Sequence, residues 1–143
     1  MRISDVIAAK ANQETVTIAP DAGVRDLIAL LAQHNVGAAV VSSDGTTVSG
    51  IVSERDVVRK LNGNDGILSA TVSEIMTADV RVCAPSDSID DVRTTMTEGR
   101  FRHLPVVEDG ALVGVVSIGD IVKSHIDQVE FERDQLDHYV HQN

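Results

Sequence analysis

The chain of 143 residues is long enough for one ordinary domain or two very small ones that share a core, and 43% of it is hydrophobic. Lys and Arg total 12 against 22 Asp and Glu, and this net charge of −10 argues against binding to a nucleic-acid polymer. No apolar run reaches the ~20 residues of a membrane-spanning helix, and the N-terminus lacks a signal-peptide pattern. We therefore expect a cytoplasmic protein without a membrane partner.

The sequence contains an internal repeat. DGTTVSGIVSERDVVRK (44–60) matches DGALVGVVSIGDIVKS (109–124), with one additional residue in the first copy. Upstream, VTIAPDAGVRDL (16–27) corresponds to RVCAPSDSIDDV (81–92). The offset between the copies shrinks along the chain, which predicts extra residues in the first copy around Asn12–Glu14. Two copies of one unit fill almost the whole chain.

The same elements are predicted in chain order for each copy. ISDVI and VSEIM open the copies as short helices, with Ser4 and Ser73 as the expected N-caps. The runs TVTIA and VRVCA predict strands that end at a proline, and VRDLIALLAQHN and IDDVRTTMTEGR predict amphipathic helices. A strand, an Asp-Gly turn, a second strand and a helix follow in both copies.

Neither copy can bury both faces of so small a sheet alone, so the two are expected to pack as one unit. The predicted division is a first domain over 1–62, a linker over 63–70, a second domain over 71–125 and a C-terminal helical extension over 126–143.

These features together resemble a tandem pair of CBS domains, a family named after cystathionine β-synthase, over nearly the full chain. The resemblance rests on GIVSERDVV (50–58), GVVSIGDIV (114–122), RHLPVV (102–107) and the strand-plus-proline openings, in order and in duplicate. It implies an α/β (α+β) fold of two β-α-β-β-α repeats, packed as a pseudo-twofold pair with two clefts between them. Members commonly bind AMP, ADP or ATP there, sometimes NAD or S-adenosylmethionine, and pairs commonly dimerise into a flat disc.

The motif Ser-x-x-Asp occurs twice, at Ser53–Asp56 and at Ser117–Asp120, where a strand passes into a helix. A hydroxyl at a helix N-terminus suits a phosphate, and a carboxylate one turn later can accept both ribose hydroxyls. The resemblance implies these roles for both motifs. The alternative is a capping box, in which Ser caps the helix and Asp accepts from its first amide.

Within these motifs, Gly119 permits close approach of a ligand or merely tight packing. Arg55 stands at the matching position of the first copy, where a positive charge opposes the helix dipole. An anionic partner would explain it, so Arg55 is a candidate phosphate contact. The alternative is a surface salt bridge to Glu54 or Asp56.

Arg100, Arg102 and His103 form the one basic cluster of this acidic chain. The resemblance implies that Arg102 and His103 contact phosphate, a task that suits the bidentate Arg side chain. The alternative is a solvated turn between helix and strand. The first copy has Gly37 and Ala38 at the aligned positions, so the two clefts are not expected to hold the same phosphorylated ligand.

An adenine ring would lie against apolar strand residues of each copy, although most of these side chains would be core whatever the function. They are Thr17, Ile18, Ala38 and Ala39 in the first copy, and Val82, Cys83 and Leu104 in the second. Pro105, which follows Leu104, is a further candidate ligand contact.

The C-terminal helix carries Val122, Ile126, Val129, Leu136 and Val140 at heptad-like spacing. This stripe is expected to pack either on a second protomer or partner protein, or back on its own pair. Two functions therefore compete: a sensor of adenine nucleotides (AMP, ADP or ATP, with NAD as a further candidate) and an assembly module with vestigial clefts. An enzyme is not expected, because nucleophile–base pairs, Gly-rich phosphate loops and metal-ligand patterns are missing from the sequence.

Overall fold

The computed structural model describes residues 1–10 and 15–141, so the predicted insertion at Asn12–Glu14 lies outside the described residues. The first repeat forms a three-stranded sheet in the order β1-β2-β3, with β1 parallel and β3 antiparallel to β2. Helices precede and follow the β2–β3 pair, which gives the expected β-α-β-β-α order. The elements are β1 (Thr17–Ile18), α2 (Val24–His34), β2 (Ala38–Val41), β3 (Gly50–Ser53) and α3 (Glu54–Leu61).

In the second repeat the helix, two strands and helix follow in the same order, but the opening strand is reduced to one isolated bridge, so the sheet is a two-stranded antiparallel pair. Its hairpin turns at Asp109 and Gly110, both at positive φ, and this confirms the Asp-Gly turn predicted there. The matching connection of the first repeat is longer, because Asp44 accepts hydrogen bonds from the amides of Thr46 and Thr47 and organises a loop. The elements are α5 (Ile89–Gly99), β4 (His103–Glu108), β5 (Ala111–Ser117) and α6 (Ile118–Val140).

The strand predicted at VRVCA is wrong in extent, since only Cys83 pairs with β4, as an isolated parallel bridge to Val106. Cys83 donates to the carbonyl of Pro105 at 3.0 Å and accepts from the amide of Val107 at 2.8 Å. In the first repeat, the amide of Val40 donates the preceding hydrogen bond of the pairing to the carbonyl of Val16 at 3.1 Å. Pro105 stands at the position of Val40 in the second repeat and has no amide, so this bond cannot form there. Towards the C-terminus, Pro85 has no amide either, so the pairing ends on both sides.

The two short opening helices are exchanged between the repeats. Helix α1 (Ile3–Ala9) contributes Ile3 and Val6 to the core of the second repeat, whereas α4 (Val72–Ile75) contributes Val72 and Ile75 to the core of the first. The exchange is locked by matching backbone bonds of 2.9 Å, from Ser4 to the Pro85 carbonyl and from Ser73 to the Pro20 carbonyl. Each core therefore contains a helix from the other half of the chain, so neither half can form its complete core alone.

These bonds also explain why the predicted N-caps are wrong. Ser4 and Ser73 lie inside the first turns of α1 and α4, and the caps are Arg2 and Thr71. Arg2 forms an isolated β-bridge with Ser88 of the second repeat. Helix α1 begins directly after this bridge, so its N-cap is Arg2 and Ser4 lies inside the helix. The cap amides donate to Asp5 and Glu74.

The segment predicted as a linker, 63–70, contains a 3₁₀ helix (Asp65–Ser69), whose Ile67 is buried in the core of the first repeat.

Helix α6 continues well beyond the second repeat. Its first turns are anchored by the buried Ile121, but from Val129 to His141 every residue is exposed. This excludes the alternative that the end of the helix packs back on its own pair. Over the ranges 1–10 and 15–141, the structure contains no helix with the length and apolarity needed to cross a membrane.

Candidate functional site

Two clefts lie between the repeats and share one wall. Gly37 and Ala38 of the first repeat and His103 and Ser117 of the second border both clefts. A Cβ atom on Gly37 would stand 3.5 Å from Glu54 Oε1 and 3.6 Å from His103 Cε1, so a side chain larger than Ala would enter the space where the clefts meet.

The first of these, the arginine cleft, has a volume of about 320 Å³. Four arginines border it, with Glu54 and Asp56 as the acidic residues of its lining, and Thr77 and Phe101 complete much of the wall. Guanidinium groups suit phosphate because they donate pairs of hydrogen bonds in one plane. In a chain of net charge −10, this surface is a local exception. The arginines are Arg55, Arg59, Arg100 and Arg102.

Asp56 reaches this cleft from the first turn of α3, where it belongs to a capping box. Its Oδ2 accepts the amide of Ser53 at 2.8 Å and the Ser53 hydroxyl at 3.1 Å, and Ser53 Oγ accepts the Asp56 amide at 3.3 Å. Ser117 and Asp120 form the same arrangement on α6, with bonds of 2.9 and 3.1 Å. The capping interpretation is thus confirmed, and both carboxylates also border a cleft, so capping holds them in position there.

The second, the lysine cleft, is wider, with a volume of about 620 Å³. Lys10 and Lys123 border it together with Asp120 and Asp127, so the charges of its lining are more evenly balanced than in the arginine cleft. Lys10 comes from the end of the exchanged helix α1. Its Nζ lies 2.9 Å from Asp120 Oδ2 and donates to the Val115 carbonyl at 2.9 Å.

The titration of Asp120 reflects this contact. Burial acts to raise its pKa, but hydrogen bonds from Ser117 and the Lys10 ammonium outweigh burial and hold the pKa below its usual value. The pKa of His103 is also lowered, mainly because the imidazole is buried. The carboxylates of Asp120 and Glu54 act to raise this pKa, and the positive charges of Lys10 and Arg102 act to lower it. The surroundings of His103 in the shared wall therefore favour the neutral form of its imidazole.

The structure brings together half of the predicted site residues. Ser53, Arg55, Asp56 and Arg102 border the arginine cleft, Asp120 borders the lysine cleft, and Ala38, His103 and Ser117 border both. Arg55 is exposed, and the structure gives it no ion pair among the described residues.

The other half lies outside the cleft walls. Four of these residues are buried in the two cores, as expected if they serve only the core: Ile18, Ala39, Cys83 and Leu104. Pro105 is buried in β4, Thr17 is partly buried in β1, and Val82 and Gly119 are exposed. In the lysine cleft, Thr15 and Val16 take the place expected of Thr17 and Ile18.

Several bordering residues were missed from the sequence, and two of them had a detectable signal. Arg59 lies one helical turn beyond Asp56, and Lys123 one turn beyond Asp120, so each shares a helix face with the predicted aspartate. Lys10 and Thr77 had no such signal. They reach the clefts through the exchanged opening helices, which local periodicity does not reveal.

Among the residues that the structure describes, no three His, Cys, Asp or Glu side chains come together as a metal site. Cys83 is buried, and burial together with the nearby Asp87 raises the pKa of its thiol to about 12.

Comparison with known proteins identifies the family. The family model of the CBS domain matches this chain twice, over residues 3–63 and 72–127. The chain belongs to the CBS domain family. The CBS pair is 34% identical over 147 residues to the CBS domain-containing protein CBSX3, mitochondrial, of Arabidopsis thaliana, with 96% of this chain and 71% of that protein covered.

Solved structures agree with this assignment. The crystal structure of the CBS-domain containing protein ATU1752 from Agrobacterium tumefaciens shares 37% identity and a TM-score of 0.82, covering 87% of this chain and 99% of that one. The CBS domain pair of protein MJ0100, solved in complex with 5′-methylthioadenosine and S-adenosyl-L-methionine, has a TM-score of 0.78 at 21% identity, over 90% of this chain and 98% of that one. The expected family and the fold of two packed repeats are confirmed.

Proposed function

We propose that this CBS pair is a non-enzymatic regulatory module that binds adenosine-containing ligands in its two clefts. The observation that carries the proposal is the arrangement of Asp56 and Asp120, each fixed by a capping box at the edge of a cleft between the repeats. At Asp56, a carboxylate held in this way needs little reorganisation to accept the hydroxyls of a ribose. The adenosine-based ligands of the MJ0100 pair, a protein with the same fold, point in the same direction.

The arginine cleft supports a phosphorylated ligand. Its four guanidinium groups outnumber the two carboxylates beside them, which favours the phosphates of AMP, ADP or ATP, with NAD as a further candidate. A ligand that touches both repeats would favour one arrangement of the pair, and a partner protein could respond to that arrangement.

Two aspartate variants and one control test the site. Asp56→Ala removes the ribose acceptor of the arginine cleft, and Asp120→Ala that of the lysine cleft. Asp26→Ala is the matched control, because Asp26 also accepts its N-cap amide in the first turn of a helix but borders neither cleft. We expect loss of a hydrogen-bonded carboxylate to weaken adenosine binding about tenfold or more at the affected cleft, as judged by calorimetry. A folded Asp56→Ala, Asp120→Ala double variant that binds as the Asp26→Ala control does would refute the site.

We further propose that α6 joins two copies of the chain as a homodimer. The exposed stripe Val122, Ile126, Val129, Leu136 and Val140 follows the alternating spacing that pairs helices in a coiled coil, interrupted at Arg133. The large exposed side chains Phe131 and Tyr139 add apolar surface to the same segment. This surface would also serve the competing function, an assembly module that needs no nucleotide.

Removal of the wholly exposed half of α6, which carries three of the five stripe residues, separates the two functions. A chain that ends at Gln128 keeps the buried anchor Ile121 but loses the wholly exposed half of α6. Sedimentation should show a dimer for the full chain and a monomer for the shortened chain, whereas calorimetry should show unchanged adenosine binding. Dimers that survive the truncation would contradict the role of α6, and dimers without adenosine binding in either chain would favour the assembly module.

A further inference from the structure

The two clefts differ at one contact that their shared architecture does not require. Asp120 Oδ2 is held by the Lys10 ammonium at 2.9 Å, and the two side chains are only 29% and 23% exposed. Asp56 occupies the same position in the other repeat, but within the described part of the chain the structure gives it no ion-pair partner. The carboxylate of Asp120 is thus paired with a lysine, whereas that of Asp56 has no ion-pair partner in the described part of the chain.

The difference between the clefts arises from the residues at the ends of the two exchanged helices. The alignment of ISDVI with VSEIM places Asp79 at the position of Lys10. Asp79 is exposed and does not border the arginine cleft. The charge at this position is therefore reversed between the halves of the molecule.

Lys10 is fixed by more than the ion pair. It also donates to the Val115 carbonyl at 2.9 Å, so two acceptors from the second repeat hold its ammonium across the lysine cleft. A ribose that approaches Asp120 must displace this contact or share the carboxylate with it. Either way, binding loses part of the free energy that the same ribose gains at Asp56.

We propose that Lys10 is a specificity-determining residue that masks Asp120, so that ribose-bearing ligands fill the arginine cleft first and the lysine cleft only at higher concentration. This inference rests on the proposed function, because it concerns the relative affinity of the same two clefts. The lysine cleft then responds to a higher range of ligand concentration than the arginine cleft does.

The test uses adenosine, because it has a base and a ribose but no phosphate that Lys10 could attract. The Lys10 and Lys123 variants are made in the Asp56→Ala background, which weakens the arginine cleft so that calorimetry reports mainly the lysine cleft. Lys10→Met keeps the aliphatic stem of the side chain but removes its charge. We expect it to tighten adenosine binding about two- to fivefold, the upper part of the range of a partly exposed ion pair.

Lys123→Met is the comparison, because it removes the same charge from the same cleft but has no ion pair with Asp120. It should change adenosine affinity less than Lys10→Met does. Lys10→Gln provides a second uncharged variant should Lys10→Met fold poorly, and circular dichroism checks each fold.

The possible failures are distinguishable. Adenosine affinity that stays unchanged or falls in both Lys10 variants, while the Asp120→Ala protein still binds through its arginine cleft, would overturn the masking role alone. Adenosine that binds neither the wild-type chain nor any variant, while ATP still binds, would overturn the masking role alone. Absence of binding by adenosine, AMP, ATP, NAD and S-adenosylmethionine alike would overturn the proposed function and the masking role with it.

Discussion

Gly50 and Gly114 make a matched pair of substitutions, because each faces the opening helix that comes from the other half of the chain. A Cβ on Gly50 would lie 2.7 Å from the Thr77 carbonyl oxygen and 2.8 Å from Met76 Sδ. Thr77 cannot retreat, since its amide and carbonyl both bond to Ile51, at 2.9 and 3.0 Å. A Cβ on Gly114 would lie 3.2 Å from Ile7 Cδ1, the flexible end of a side chain.

The magnitudes follow from these distances. Neither glycine has a positive φ, so Ala meets no backbone strain at either position and gains about 0.4–1 kcal/mol from the unfolded chain. Overpacking against fixed backbone costs about 1–3 kcal/mol. We therefore expect Gly50→Ala to lower the free energy of unfolding by about 1–2 kcal/mol, and Gly114→Ala to change it by less than about 0.5 kcal/mol.

Urea unfolding followed by circular dichroism measures both values, and calorimetry adds a second readout. Thr77 borders the arginine cleft and Ile7 the lysine cleft, so Gly50→Ala should also weaken ligand binding in the arginine cleft. Equal destabilisation by the two substitutions, or a larger effect at Gly114, would refute the exchanged packing of the helices.

The remaining predictions concern charge, burial and salt. Because the pKa of Asp120 is lowered on folding, its carboxylate stabilises the fold fully above the unfolded value of 3.8, and this stabilisation is lost as the pH falls through the folded value. Lys10→Met should reduce that loss in acid unfolding curves, and an unchanged curve would contradict the ion pair. The thiol of Cys83, with a pKa of about 12, should react with Ellman's reagent only after unfolding, so fast labelling of the native chain would be inconsistent with its burial. Arg102→Ala should weaken binding of ATP more than of adenosine and flatten the salt dependence of ATP binding; equal losses for the two ligands would exclude a phosphate contact.

The internal repeat made the fold predictable, because the signals that define each repeat are local. The Asp109-Gly110 turn, the amphipathic helices and the Ser-x-x-Asp starts of α3 and α6 each depend on residues within a few positions of one another. The strand predicted around Cys83 is limited instead by Pro105, which lies on a different strand and lacks the amide that pairing requires. A non-local cause of this kind leaves no mark on the periodicity of the strand itself.

The candidate site was predictable to the same extent and for the same reason. Asp56 and Asp120 were identified from their local motif, and their dual position in capping box and cleft wall agrees with both interpretations of that motif. Lys10 was missed, because the exchange of α1 carries it to the other repeat. The buried Leu104 was expected at an adenine, whereas the sheet directs it into the core.

The most direct test of the central claim is calorimetric titration of nucleotide-stripped protein with adenosine, AMP, ATP, NAD and S-adenosylmethionine in parallel. We expect micromolar binding of at least one of these compounds, with a stoichiometry of one or two per chain that falls when Asp56 is replaced by Ala. Absence of heat with all five ligands, from a sample that circular dichroism shows to be folded, would contradict ligand binding in the clefts and favour the assembly module.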